Sequence, residues 1–346
     1  MVFLLLLGFF SCGRTAGTGT ARPNATGARF ELLIVIDNQI WNAPAGRAIF
    51  ELFDQDTPGL PRPEAMFRIM QVPPSGFSDF LRPTRNILEI DVSPERFTQT
   101  RINLLTDPIS HPQRYVRITT PSADDLLSAI QADGNRIMNF FVLGERERSM
   151  QQLSRRHNRN FSREVQEWMG VQIYIPADMN ISTLRDNFFW ASNQHGNVRQ
   201  DIVIWSYPYT DPNTFTFDFL IAKRDSIMRQ NIPGQVPGSF MGTELRFDRP
   251  TMRTIWHNGE FAVEIFGLWR MMNGGAMGGP FYSLTRLDEV NQRVVTVEGF
   301  VFAPGNPLRN PMRALEAAVH TLRLPQDINR LDEVVVRPNF ENQEEE

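Results

Sequence analysis

Three observations predict an α+β fold for this chain. Short β-branched and aromatic runs recur between Pro, Ser, Gly and Asp. A few amphipathic stretches carry helix-capping signals. Each half runs strand, proline, Phe-rich segment, strand, and ends in a strand that leads to a helix ("RYVRITTPSADDLLSAI" and "VEGFVFAPGNPLRNPMRALEAAV"). The expected architecture is two halves of mainly antiparallel sheet with helices packed on one face, related by a degenerate internal repeat.

In order along the chain, "RFELLIVID" (Arg29–Asp37) is a β-branched apolar run, and a helical pattern follows around Arg47–Phe53. "AMFRIMQV", "NILEIDV" and "RYVRITT" are short strands. Ser122 is an N-cap with Asp125 at the third helical position, an acidic variant of the capping box. The helix it opens, with a break expected at Gly134, continues to the polar stretch "SRRHNRNFS", a candidate boundary. In the second half "GVQIYIP", "NFFWAS", "DIVIWSYPY", "EFAVEIFGLWRM" and "RVVTVEGFVFAP" are strands, and "FDFLIAKRDSIMRQ" is a helix. "RNPMRALEAAVHTL" is a second helix, with Asn310 as N-cap and Pro311 at the first position.

The domain layout follows. Val2–Phe10 is apolar apart from one glycine, too short to span a bilayer but suited to a signal-peptide core. Ser11-Cys12 then resembles a bacterial lipobox, although Phe9 stands where leucine is usual and no basic residue precedes the core. Residues 1–11 are the expected lipoprotein signal peptide. Residues 12–28 are the expected lipidated Cys12 with a flexible tether of about 20–25 Å mean reach. Residues 29–160 form the N-terminal half and 161–330 an aromatic-rich C-terminal half. Residues 331–346 are a tail with an acidic end, expected to be disordered. A membrane is therefore a partner through the anchor.

Composition narrows the chemistry. Cys12 is the only cysteine of the 346 residues, so once it carries lipid there is no disulfide, thiolate metal site or cysteine nucleophile. The net charge of -4 and the lack of a basic block argue against nucleic acid. Of 35 basic residues only Lys223 is a lysine, leaving one candidate for amine catalysis. The five histidines lack zinc-ligand spacing, and no cofactor motif is present: Gly274–Gly279 has no neighbouring lysine, and "GSFMG" lacks the spacing of a serine-hydrolase elbow. His320 nearly joins an apolar helix stripe and reads as a structural histidine.

Two candidate sites remain. Glu244, Glu260 and Glu264 are weak candidates for the carboxylate pair of a glycosidase, against a simpler reading as a solvated acidic row. Trp205, Tyr207 and Tyr209 alternate in one strand and share a face. With Tyr282, Gly278 and Gly279 they make a candidate binding surface for a glycan or an envelope protein. Residues 267–284 are expected to form a glycine-rich connection against "DIVIWSYPY", with Trp269 buried, positive φ at Gly278 and Gly279, and Met271, Met272 and Met277 filling gaps rather than holding an ion.

The motifs "NFFWASN", "IWSYPY", "GSFMGTEL", "GLWRMM", "MGGPF" and "VEGFVFAP", the last followed by Arg313 and Glu316, carry a resemblance. With "LPRPE", "MFRI" and "RNILEIDV" they make nearly all of the mature chain resemble the Bacteroidetes lipoprotein family catalogued as domain-of-unknown-function family 4837. The departures are Phe302 where the family has tyrosine in Tyr-Ala-Pro, and arginine for most lysines. The resemblance implies a cell-envelope lipoprotein and transfers no catalytic residue. The expectation is an outer-membrane lipoprotein facing the periplasm, a binding or structural module. The alternative is an envelope glycan hydrolase. If Cys12 is the anchor, Cys12→Ser should no longer incorporate labelled fatty acid and should leave the membrane fraction. Retention of that variant after a high-salt wash would refute lipidation.

Overall fold

A computed structural model of the chain describes residues 22–194 and 197–328. The signal peptide 1–11, Cys12, most of the tether, His195 and the tail 331–346 lie outside the described residues. Five strands of the first half form one sheet: β1 (Glu31–Val35), β2 (Arg68–Val72), β3 (Asn86–Val92), β4 (Arg101–Thr106) and β5 (Arg114–Thr120). Their order is β2-β1-β3-β5-β4. Helices α1 (Asn38–Trp41) and α2 (Pro44–Asp54) return the chain between β1 and β2, and α3 (Ala123–Arg155) follows β5. Ser122 caps α3 as expected: its side chain accepts from the Asp125 amide. Helix α3 runs unbroken through Gly134, where a Cβ would lie 3.1 Å from Leu52 Cδ2. The glycine permits close approach of α2 and α3.

The second half continues with α4 (Arg159–Met169), β6 (Ile181–Arg185), β7 (Phe188–Ser192), β8 (Arg199–Pro208) and α5 (Phe217–Asn231). It closes with β9 (Phe240–Thr243), β10 (Thr251–His257), β11 (Glu260–Met272), β12 (Gly278–Asp288), β13 (Arg293–Phe302) and α6 (Arg309–Val319). The sheet order is β10-β11-β12-β13-β8-β7-β6, with β9 paired to β11.

The α+β class holds, and antiparallel pairing dominates the described strands as a whole. All three parallel pairings fall in the first sheet, among β2, β1, β3 and β5. The second sheet is antiparallel throughout its described pairings. The two sheets thus differ in strand number, order and direction, which does not fit the internal repeat expected from the sequence.

Helices cover one face of the first sheet: Ile34, Leu88 and Ile118 pack with Phe53 and Phe141. Loop residues Phe77, Leu81 and Ile109 cover Leu33, Ile87 and Tyr115 on the other face. In the second sheet helices occupy both faces, a correction to the one-face expectation. Ile202, Ile204 and Val297 meet α4 and α6, whereas Val203, Trp205 and Ile265 meet α5. The reason is visible in β8 and β13, whose consecutive residues are apolar on both sides and buried throughout their centres.

"GVQIYIP" makes only isolated bridges, Gln172 with Arg323 and Pro176 with His157. Its alternation still buries Val171, Ile173 and Ile175; what is missing is a neighbouring strand. The glycine-rich stretch is mostly strand. Gly267–Met272 belongs to β11 and residues 278–284 to β12, leaving a turn at 273–277. Positive φ occurs at Asn273, Gly274 and Gly275 rather than at Gly278 or Gly279. The hairpin is separated from β8 by β13 rather than packed beside it. Trp269 is 1% exposed and donates to the Val301 carbonyl at 3.2 Å. Gly279 faces that carbonyl, and a Cβ there would overlap it. Gly279→Val should therefore destabilise by about 3 kcal/mol or more in urea unfolding, through overpacking rather than backbone strain. Wild-type stability of the variant would disprove this account.

Candidate functional site

The two halves meet where the segment before β2 grips the start of α6. The Glu64 carboxylate accepts from the amides of Leu308 at 2.7 Å and Arg309 at 2.9 Å. This capping carboxylate comes from the other half of the chain, so α6 begins at Arg309 and the Asn310 cap is corrected. Arg309 Nη1 donates to the Ala65 carbonyl at 2.6 Å, and Arg62 donates to the Asn306 carbonyl at 2.7 Å.

Beside this junction lies a cavity of about 590 Å³ between α3, α6 and the second sheet. Its apolar walls include Met66, Met138, Val142, Phe266 and Met312. Its charged groups are Arg146 from α3, Arg253 from β10, Glu264 from β11, and Arg313 and Glu316 from α6. Glu316 accepts from Arg313 Nη1 at 2.6 Å and from Arg146 Nη2, so one carboxylate bridges both halves. Burial alone would push the Glu316 carboxyl up, but Arg313 and Arg146 outweigh it and hold it at about 2.

Along the cavity wall runs a hydrogen-bonded chain. Tyr282 donates its hydroxyl proton to Glu264 Oε2 at 2.6 Å, and His320 Nε2 lies 2.7 Å from the Tyr282 hydroxyl oxygen. With the phenolic proton on Glu264, His320 carries its hydrogen on Nε2. Burial, and then Arg146, push the His320 pKa well below the usual value, so the imidazole is neutral. Burial, with Glu316 and Glu264 nearby, pushes the Tyr282 phenol well above its usual value. Three further atoms matter. Arg146 Nε, Arg313 Nε and Thr57 Oγ1 are buried with no hydrogen-bond partner, and all three residues line the cavity.

The expected site residues disperse. Trp205 is buried and Tyr207 half-buried on the α5 side, where Tyr207 contacts Phe219 and the Lys223 ammonium. Tyr282 lies on the opposite face, in the core shared with α6. Gly278 and Gly279 pair with Arg270 and Trp269 at the start of β12. The aromatic surface is thus corrected: successive residues of a strand address opposite faces, and Tyr282 falls on the wrong one. The three candidate glutamates also occupy different places. Glu244 pairs with Arg246 and Arg270, Glu264 lines the large cavity, and Glu260 lines a smaller pocket with Tyr209. The four-residue step from Glu260 to Glu264 spans about 13 Å of strand, beyond glycosidase separation. Met271 and Met277 line a cavity of about 170 Å³ with Trp269, while Met272 lies against Gly242.

The sequence reading missed the cavity's arginines and Glu316 as a site. Arg313 and Glu316 form a helical i,i+3 pair, which was the one local signal; Arg146 and Arg253 gave none. Among the described residues no group of three or more His, Cys, Asp or Glu could hold a metal ion, and no helix is long and apolar enough to cross a membrane.

Residues 157–321 match a family model described as Domain of unknown function (DUF4837), and residues 25–154 match another, Domain of unknown function (DUF8532). The resemblance to family 4837 is therefore shown for the second half. "LPRPE", "MFRI" and "RNILEIDV" fall within the other domain. The chain matches no curated protein.

The depressed Glu316 pKa fixes a pH dependence. Its carboxyl ionises near 4.5 when unfolded and at about 2 when folded, so its stabilisation is present above 4.5 and is lost as pH falls toward 2. The shift corresponds to about 3 kcal/mol. Glu316→Gln should lose about 3–5 kcal/mol at pH 7 by leaving two arginines uncompensated, and should flatten the acid limb between pH 4.5 and 2. An unchanged acid limb in urea titrations would show that Glu316 is not the group responsible.

Proposed function

We propose that this chain is a lipid-anchored binding module of the cell envelope, facing the periplasm from the outer membrane, and that the cavity between its halves is the ligand site. The anchor reading rests on the apolar run ending in Ser11-Cys12. The cavity volume lies in the range of small-molecule sites. The observation that carries the ligand reading is a preformed cavity whose wall combines apolar side chains with the converging guanidinium groups of Arg146, Arg253 and Arg313. A few convergent polar groups in such an enclosure orient a guest.

Charge narrows the guest. Arg146, Arg253 and Arg313 outnumber Glu264 and Glu316 by one positive charge. An acid group meets that surplus, and the methionine-rich wall suits an apolar body of adaptable shape. The ligand is an amphipathic acid. Glycan hydrolysis finds less support. It requires a carboxylic acid that stays protonated near neutral pH, yet Glu316 is held at about 2. The carboxyls that burial pushes up, Asp201 and Glu298, pair with Arg199 and Arg224 away from this cavity.

Decanoate should stabilise the purified chain against thermal unfolding, by about 2.7 kcal/mol at a hundredfold excess over Kd, while decanol should do so far less. Arg253 is largely exposed, and its guanidinium meets Glu264 at 4.0 Å and lies over the Phe266 ring at 4.9 Å, surface contacts of small worth, so Arg253→Ala should leave folding intact. It should weaken decanoate about tenfold. Val142→Trp should fill the cavity and abolish the effect. Equal stabilisation by decanol, or full binding by the Val142→Trp variant, would overturn the assignment.

A further inference from the structure

The face of the eight-stranded sheet that α5 covers holds a cavity of about 170 Å³ beside the β11–β12 turn. Its floor is aromatic. Trp269 of β11 meets Phe300 of β13 edge-on, with centroids 5.7 Å apart and planes at 67°, and Phe302 stands 6.2 Å from Trp269 at 55°. Trp190 of β7 closes one side, and Met241, Met271 and Met277 add three thioethers.

The outer wall is pinned in place. After α5 the chain turns through Pro233, Gly234 and Gln235, all of which line the cavity. The Gly234 amide donates to the Ser239 carbonyl at 2.9 Å, and the Ser239 amide donates to the Val236 carbonyl at 2.9 Å. A Cβ on Gly234 would lie 2.3 Å from Ser239 Oγ and 3.1 Å from Met271 Sδ, so glycine lets this loop close on the methionine. The cavity is preformed.

The charged groups on its rim bind one another. Arg199 donates from Nε to both Asp201 oxygens, at 3.2 and 3.0 Å, and from Nη2 to Oδ1 at 2.9 Å. Trp190 Nε1 donates to the same carboxylate at 2.9 Å. The rim is thus neutral as a unit, and a charged guest would lose hydration without gaining a counter-ion. Size limits the guest further, since a dry apolar cavity of about 150 Å³ admits one benzene ring. Rings and thioethers both favour an aromatic guest over an aliphatic one of equal size, through edge-to-face and sulfur–ring contacts.

We infer that this cavity is a binding site for a small neutral aromatic molecule, a single ring of about the size of phenol. The inference is independent of the acid-binding cavity, which lies between α3, α6 and the second sheet and is rimmed by arginines.

The test is an NMR titration of the purified chain, isotope-labelled at its methionine methyl groups, with phenol and with cyclohexanol. Phenol should move the methyl resonances of Met241, Met271 and Met277 through ring currents, and move those of Met66, Met138 and Met312 in the other cavity far less. Cyclohexanol should bind about three- to tenfold more weakly, and benzoate and benzylamine at least about tenfold more weakly. Met277 lies in the turn and is only partly buried, so Met277→Trp should fold normally, fill the cavity and abolish the shifts at Met241 and Met271. Phe302→Leu keeps an apolar wall without a π face and should bring phenol down toward cyclohexanol. Five results would overturn the inference: no movement of the three methyls, movement of the Met66, Met138 and Met312 methyls instead, equal affinity for cyclohexanol, preference for benzoate or benzylamine, or undiminished shifts in Met277→Trp. Tighter binding of N-acetylphenylalaninamide than of phenol would also overturn it, in favour of a peptide side chain.

Discussion

One buried carboxylate holds the two halves together. Glu316 sits on the last helix of the second half and is bridged by Arg313 from its own helix and Arg146 from the long helix of the first. A buried ion pair rarely adds much net stability over an apolar contact, because desolvation consumes the Coulombic gain. Its effect is on specificity. Any other seating of α6 against α3 would leave a carboxylate and two guanidinium groups buried without partners, at a cost of several kcal/mol. The Glu64 cap acts in the same sense, since α6 obtains its N-terminal acceptors only when the halves are docked.

The same constraint keeps the junction open. Arginines bridged to one carboxylate cannot also be enclosed by apolar side chains without losing their remaining solvation. The interface therefore retains a chamber rather than closing into a continuous core. The opposite face of the second sheet has a comparable device. Arg224 of α5 donates to both oxygens of Glu298 at 2.8 and 2.6 Å and lies 4.0 Å from the Phe281 ring centroid. On one side of this sheet an arginine–glutamate pair thus keys a helix to a strand under aromatic packing, and on the other an arginine–glutamate cluster joins two helices beside a cavity.

Charge also separates two of the pockets, the large cavity and the smaller one that holds Tyr209 and Glu260. The chamber between the halves is rimmed by arginine, and the aromatic pocket at the sheet end is rimmed by glutamate. With one lysine in the chain, nearly every cation is a guanidinium, which can donate to two acceptors at once. That suits bridging roles such as those of Arg146 and Arg224.

The sequence alone determined most local elements, because these are set by short-range patterns. β1, β3, β5, β8, β11 and β13 follow from β-branched runs, and the Ser122 cap follows from a side chain three residues from its amide. It did not determine that "GVQIYIP" would lack a ladder partner, or that the glycine-rich stretch would be two paired strands, since pairing depends on residues far along the chain. For the sites, Tyr209 and Glu260 were each visible as candidates, but with the wrong companions. Their true neighbours, Phe215 and Gln326, come from a turn and a terminal segment. The arginine-lined chamber was legible only as the Arg313–Glu316 pair. Tertiary structure alone decided the rest, because Arg146 and Glu316 are 170 residues apart and a buried charge reveals its partner only once the chain has folded around both.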